Sequence, residues 1–361
     1  MKPVIFMNNK ISDLICTVNA DAVILLNESN MHYFCGFSPS EGVILLTKNG
    51  IGHHIVDSRY TETAEKHAEK TRLNVIEINT KFSDTVKELC KRHNIKTLGF
   101  ENETITLKAY NTYKEATNCE FIPINDSLAE MRNVKTNEEI ELMKQANDIA
   151  EKSFIELLNH IKIGKTEKEL ASLFNYIMAK NGSDGLSFDT ILLTGSHTSL
   201  PHGVPSDRKI QNGDFVLFDF GATYKGYHSD MTRTVAVGSA TDEMKEMYNL
   251  VLDAQLAGIN ALKSGVKCAD VYKAAYDVLE TKNMGKYFRH SLGHGVGLDI
   301  HEGYSASPRS EDTFNVNNIT SVEPGIYIPD KFGIRIEDVC IVKENGCENI
   351  WSICLSHFPF C

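Results

Sequence analysis

The stretch FVLFDFGATYKGYHSDMTRTVAV at residues 215–237 decides the architecture. It holds two apolar, β-branched and aromatic runs separated by the turn-like TYKG, the pattern of a hairpin whose strands are buried. Each run carries one acid where burial makes an acid costly, Asp219 and Asp230. With Tyr224-Lys225 as a two-residue loop, the register sets these carboxylates directly opposite one another on one face. Two anions so close in a sheet interior repel strongly, and bound cations relieve that repulsion.

A second hairpin repeats the design. In VEPGIYIPDKFGIRIEDVCIV, residues 322–342, Glu323 and Glu337 are centred on Asp330 in the loop PDK and face each other. One such pair alone could equally be a proton-sharing dyad or a solvated accident of sequence; two in one region point to a metal centre. The segment HSLGHGVGLDIHE, 290–302, supplies an imidazole, His294, set among glycines that leave room for metal and substrate to approach the backbone. Oxygen-rich ligands with one imidazole suit Mn²⁺, Co²⁺, Fe²⁺ or Zn²⁺ rather than a thiolate site. Four carboxylates and a histidine can hold two ions about 3.5–4 Å apart, the spacing that bridges and ionises a water. His290 and His301 flank His294, and His202 lies in SLPHGVPSDRK, 199–209. Imidazoles beside such a centre donate to a tetrahedral oxyanion or shuttle protons near neutral pH.

Upstream of these hairpins the pattern changes. From Asp21 to Ile124 apolar runs (AVILL, VILLT, HHIVD, NVIEI, TLGFE, CEFIPI) alternate with the helical patterns SDTVKELCKRH and LKAYNTYKEAT, which predicts an α/β domain with a mixed sheet. The chain then passes through NDSLAEMRNVK into a long helix opened by a capping box, Thr136 with Glu139; a second box, Thr166 with Glu169, opens the next helix, which Asn181-Gly182 stops. The expected domains are 1–125 and 126–361. Within the second, two halves each read as helices followed by a carboxylate-bearing hairpin.

Bulk properties exclude several classes. At 361 residues the chain has room for two cores, and 42% hydrophobic with 24% charged residues is ordinary for a globular protein. A net charge of −11 without a Lys/Arg stripe argues against a nucleic-acid partner. No run reaches the roughly 18 apolar residues of a membrane span, and MKPVIFMNNKISDLIC breaks before a signal-peptide core develops. Nine scattered cysteines with no CxxC pair read as reduced, buried small hydrophobes, consistent with a cytoplasmic protein.

The segments LPHGVPSDRKIQNGDFVLFDFGATYKGYHSDMTRTVAVG, GHGVGLDIHE, SVEPGIYIP and GIRIEDV together resemble the pita-bread metallopeptidases, and within them the proline-specific branch of aminopeptidase P and prolidase. NMHYFCGFSPSEGVILL and DSRYTETA resemble the amino-terminal domain of that branch, so the likeness covers nearly the whole chain. The implied fold class is α+β, with an N-terminal α/β mixed-sheet domain (creatinase/prolidase N-terminal-like, ribonuclease H-like) and a C-terminal pita-bread (creatinase/aminopeptidase-like) catalytic domain. The resemblance makes Asp219 a terminal ligand of one ion, Asp230 and Glu337 bridging ligands, His294 a ligand of the second ion, and Glu323 a ligand that also moves protons. His202 and His301 match histidines that contact the scissile carbonyl and nearby leaving group, His290 a further pocket histidine, and Arg335 an arginine that offsets negative charge around the metals. Two ions, manganese foremost with Co²⁺, Zn²⁺ or Fe²⁺ as alternatives, proline-containing peptide substrates and a homodimer are implied too.

The expected activity is hydrolysis of the Xaa-Pro bond at the N-terminus of peptides, with a dipeptide-only prolidase as the alternative. Creatinase-like chemistry or a metal-free binding protein is disfavoured because every ligand type is present. SVEPG replaces the commoner TVEPG but keeps the hydroxyl. The ending IWSICLSHFPFC lacks the family's polar tail.

Overall fold

The computed structural model describes residues 4–351; the atypical ending beyond Trp351 lies outside the described residues. The chain divides into two compact units between Met131 and Arg132.

In the first unit the apolar runs become β1 (Ala22–Leu25), β2 (Gly42–Thr47), β3 (Gly52–Val56), β4 (Asn74–Glu77), β5 (Thr97–Phe100) and β6 (Glu120–Pro123). They form one mixed sheet in the order β4-β3-β2-β1-β5-β6, antiparallel in its β1-β2-β3 centre and parallel at both flanks. Helix Phe82–Arg92 presents Val86, Leu89 and Cys90 at helical spacing, and with Tyr113 of helix Leu107–Thr117 they bury against Ile24, Val43, Leu45, Ile55 and Leu98. Helices Glu28–Cys35 and Thr61–Thr71 were not legible from periodicity: the first is only eight residues long and mostly buried, and the second buries only Ala64. The segment NDSLAEMRNVK is itself mostly helical, over Asn125–Asn133.

The second unit has the two expected halves. Helices Asn137–Leu158 and Glu167–Lys180 both open on complete capping boxes, Thr136/Glu139 and Thr166/Glu169. They back the strands β7 (Gly185–Leu186), β8 (Ile191–Thr194), β9 (Phe215–Phe220), β10 (Ala222–Tyr224), β11 (Tyr227–His228) and β12 (Met231–Ala236). Phe154 and Phe174 pack against Phe218 and Phe220, the closest rings 4.5 Å apart between Phe174 and Phe220. Helices Asp242–Ala261 and Cys268–Glu280 bury Val251, Ala254, Val271 and Ala275 in the core of the other half, together with Val322, Ile334 and Ile336. The strands there are β13 (Gly293–Gly295), β14 (Glu302–Ala306), β15 (Ile319–Val322), β16 (Gly325–Ile328), β17 (Phe332–Arg335), β18 (Asp338–Lys343) and β19 (Gly346–Asn349). No helix among the described residues is long and apolar enough to cross a membrane.

The first acidic hairpin differs from expectation in register. Its turn is Lys225-Gly226, both at positive φ (+48° and +83°), with Tyr224 paired to Tyr227. A two-residue turn matched to strand twist needs two left-handed residues, which glycine accepts freely and a bulky tyrosine resists. The ladder therefore slides, Asp219 faces Thr232, and Asp230 falls just outside β12 as a diagonal neighbour rather than a direct partner. In the second hairpin, β16-β17 and β15-β18 share one register centred on Asp330, which lies at φ +59°. Glu323 and Glu337 sit opposite each other in the gap between those two ladders.

Two substitutions separate local from packing contributions. Thr166→Ala should lower the unfolding free energy of the second unit by about 1 kcal/mol through loss of its cap, and Phe174→Ala, fully buried, by roughly 3–5 kcal/mol. Urea unfolding checks both; equal losses would overturn this account of the half.

Candidate metal centre

Every residue singled out from the sequence lines one cavity of about 620 Å³ in the second unit: Asp219, Asp230, His294, Glu323, Glu337, His202, His290, His301 and Arg335. Asp219 stands within the β9 ladder, and the hairpins deliver the other three acids at the points where their ladders break. Strand pairing stops at Gly221, where a Cβ would meet the Ser229 carbonyl at 2.0 Å, and Asp230 follows directly on Ser229. Glu323 and Glu337 also leave their own hairpin: the Glu323 amide donates to the Leu292 carbonyl (2.7 Å) and the Glu337 amide to the Thr232 carbonyl (3.1 Å). That second bond joins the two halves, and Thr232 reinforces it. Its hydroxyl donates to Glu337 Oε2 (2.7 Å) and accepts from Arg335 Nε (2.9 Å).

A ligand atom from each of Asp230, His294 and Glu337 lies within 4.8 Å of the others. His294 Nε2 is 3.4 Å from both Asp230 Oδ2 and Glu323 Oε1. Its Nδ1 is 3.1 Å from the Gly295 carbonyl, so the proton belongs on Nδ1 and Nε2 offers its lone pair to the acids. Asp219 Oδ1 and Glu337 Oε1 are buried with no hydrogen-bond donor among the described residues. Orphan oxygens and an imidazole lone pair lining one cavity fit divalent cations, which satisfy such atoms at once.

The electrostatics agree. Burial, then the neighbouring Glu337, Asp219 and Glu323, raise the Asp230 carboxyl well above its ordinary value. Burial followed by Glu323 and Asp219 does the same to Glu337. Burial pushes Glu323 up to about 8 against the restraint of Arg335, and pushes His294 down to about 4, with His301 adding to the fall. Cations would reverse the pressure on the acids.

Arg335 is buried among these groups, paired with Asp219 and donating from Nη1 to the Tyr327 hydroxyl (2.6 Å). Tyr327 lies 3.0 Å from His290 Nε2, and His290 Nδ1 lies 2.8 Å from the Ser291 carbonyl, so the tyrosine hydroxyl donates to the imidazole. Sequence reasoning missed Tyr327, Thr232 and Ser321, whose hydroxyl lies 3.2 Å from Glu323 Oε1. The hairpin register carried a signal for Tyr327: it puts Gly325 opposite Arg335, making Tyr327 a diagonal neighbour of that arginine.

His202 and His301 are exposed at the cavity, the His301 ring 4.1 Å from that of His294. The loop carrying His202 is tied down by Glu167, fully buried in the first turn of its helix. Glu167 accepts from the amides of Thr194 (2.7 Å) and Ser206 (2.8 Å), from both hydroxyls, and from His197 Nδ1. The glycines beside His294 do not open space for a ligand as expected. A Cβ on Gly293 would meet the Ser321 carbonyl at 1.8 Å, and one on Gly295 the Glu302 carbonyl at 2.0 Å. They let neighbouring strands close in and so set His294 in place.

Residues 9–134 match the family described as Creatinase/Prolidase N-terminal domain, and residues 141–344 match Metallopeptidase family M24. The chain is 38% identical to the Xaa-Pro dipeptidase of Pyrococcus furiosus over 332 residues, 91% of this chain and 93% of that protein. Among solved structures, it resembles an Xaa-Pro dipeptidase from Bacillus anthracis (38% identity, TM-score 0.94, 99% of each chain). It also resembles an X-Pro aminopeptidase from Thermotoga maritima (38% identity, TM-score 0.90, 96% of this chain and 99% of that one).

The raised Glu323 carboxyl has a thermodynamic sign. Between its ordinary 4.5 and about 8 the folded, metal-free protein binds a proton that the unfolded chain has lost, so rising pH removes stability across that window. Glu323→Gln carries no such proton. Urea unfolding in chelator should show the variant gaining on wild type from about pH 5 to about pH 8.5; a gap that stays constant or narrows would refute the burial account.

Proposed function

Because the chain belongs to metallopeptidase family M24, we propose that its cavity is a two-metal centre that hydrolyses Xaa-Pro bonds, and that its substrates are Xaa-Pro dipeptides. One observation carries the reading: four carboxylates, Asp230 and Glu337 buried and Asp219 and Glu323 partly so, two of them with orphan oxygens, converge with the His294 lone pair on one cavity. The dipeptidase reading was the alternative from sequence, and the names of the similar proteins favour it over the aminopeptidase reading. The Thermotoga structure, equally identical to this chain, keeps trimming of longer peptides as the second reading.

Asp219, Asp230, His294, Glu323 and Glu337 would hold the ions. When bound, such ions polarise a carbonyl and lower the pKa of water. Glu323, backed by the Ser321 hydroxyl, takes up and returns the proton moved during hydrolysis. His202 and His301, from opposite loops, donate to the scissile carbonyl and the departing side of the bond. Arg335 and Tyr327 hold Asp219 and His290 in place and offset part of the negative charge. Phe188, Ile191, Val204, Pro205 and Ile300 give the cavity apolar walls. They suit a proline ring, whose nitrogen lacks a proton and whose bulk restricts the preceding residue. Manganese as the ion, a homodimer and a cytoplasmic location belong to the same proposal, as does the absence of nucleic-acid and membrane partners. The described cysteines, all free thiols, and the acidic net charge support it.

With manganese supplied, the protein should cleave an Xaa-Pro dipeptide at least about tenfold faster than an Xaa-Pro-Yaa tripeptide by kcat/KM; the reverse ratio would establish the aminopeptidase reading. Asp230→Ala and Glu337→Ala should each abolish turnover and lower bound metal measured by elemental analysis. Near-wild-type turnover in either would overturn the two-metal assignment.

A further inference from the structure

His301 reaches the cavity from the loop between β13 and β14, residues 296–301, where the ladder shifts register. The β13-β14 register shifts at this point: His294 pairs with Ser305 while Gly295 pairs with Glu302. The residue that gathers the loop is Glu302. Its carboxylate accepts from the Asp299 amide (3.1 Å), closing the loop on itself, and from Lys135 Nζ (2.7 Å). It also accepts from Arg132, whose Nη2 reaches Asp299 Oδ2 at 2.7 Å.

These charges are not on the surface. The side chains of Lys135, Glu302 and Arg132 are 2%, 8% and 9% exposed. The packing around the carboxylate is close: a Cβ on Gly297 would fall 2.1 Å from Glu302 Oε1, and one on Gly303, at φ +67°, 2.2 Å from Asn133 Oδ1. The segment bearing the two cations is itself anchored. The Lys135 amide donates to the Asn317 carbonyl (3.0 Å), Asn318 Nδ2 to the Asn133 carbonyl (2.9 Å), and Val134 bridges Asn318. Burial pushes the Glu302 carboxyl up, yet Lys135 and Arg132 bring it below its ordinary value. Buried ion pairs add little net stability compared with apolar packing of the same volume, but they define geometry sharply. Here the geometry they define is that of the residue next to His301.

We infer that Arg132, Lys135 and Glu302 form a clamp at the start of the second unit that positions His301 for hydrolysis. The inference rests on reading His301 as a group that contacts substrate. The clamp residues are positioning residues: they act through His301 and touch no reacting atom.

A double-mutant cycle tests it on the full-length, metal-loaded protein with an Xaa-Pro dipeptide. Glu302→Gln and Lys135→Met should each lower kcat about fivefold or more while KM and metal content change less than about twofold. In a His301→Ala background the same changes should cost less than about a further twofold, because the group they position is gone. In the metal-free protein, the His301 ring NMR signal, assigned by its loss in His301→Ala, should shift in either clamp variant. Losses that multiply across the cycle would overturn the clamp while leaving His301 in its role. Near-wild-type kcat in His301→Ala would instead remove the role of His301 itself, and the clamp with it. If Glu302→Gln fails to fold, Lys135→Met, which keeps the carboxylate and its Arg132 partner, carries the cycle alone.

Discussion

Two unit charges about 4 Å apart interact by roughly 4 kcal/mol even at an effective dielectric of 20, and the floor of this cavity holds Asp219, Asp230, Glu323 and Glu337 against one guanidinium, that of Arg335. Much of the catalytic unit can be understood as an answer to that imbalance. Arg335 is spent on Asp219, and Thr232 serves Glu337 and Arg335 together. The remainder is met in the metal-free chain by protons, which is why Asp230, Glu323 and Glu337 all hold theirs more tightly than free carboxyls do. Divalent cations replace those protons with charge that also does chemistry.

Three of the four acids converge on Asp219 because each hairpin breaks where they stand. A regular ladder would hold a carboxylate at a fixed height over its own sheet. By leaving the ladder at Gly221 and Ser229 in one half and between Val322 and Gly325 in the other, the strands turn Asp230, Glu323 and Glu337 toward Asp219, and the cross-half bond from Glu337 to Thr232 fixes how far. Helix pairs behind each hairpin supply the apolar mass that holds these bends. Glu167 and Glu302 then work one layer out, each a buried carboxylate that gathers a loop whose exposed histidine faces the metal residues.

Much of this was legible before any coordinates, for identifiable reasons. Strand periodicity and capping boxes are local signals, so the six strands of the first sheet and the helices opened by Thr136 and Thr166 could be read directly. The face on which Asp219 and Asp230 lie was read correctly even though their partners were not. Side chains alternate with period two, and the true register differs from the expected one by two residues, which preserves the face while moving the opposite residue from Asp230 to Thr232. The role of Gly293 and Gly295 was misread because a glycine's lack of a side chain says nothing about what approaches it. The bonds of Thr232 to Glu337, of Glu167 to the loop at 194–206 and of Glu302 to Arg132 and Lys135 join residues dozens to more than a hundred positions apart, and no window of sequence contains them.

The bond between Thr232 and Glu337 makes the metal site a seam as well as a catalyst. Asp219 and Asp230 come from one half of the unit; His294, Glu323 and Glu337 come from the other. An ion seated among them therefore fastens two layers that like charge otherwise drives apart, and its binding energy is drawn from the same account as the cohesion of the halves. Ions that bind the folded chain and not the unfolded one would then add to its stability as well as to its chemistry.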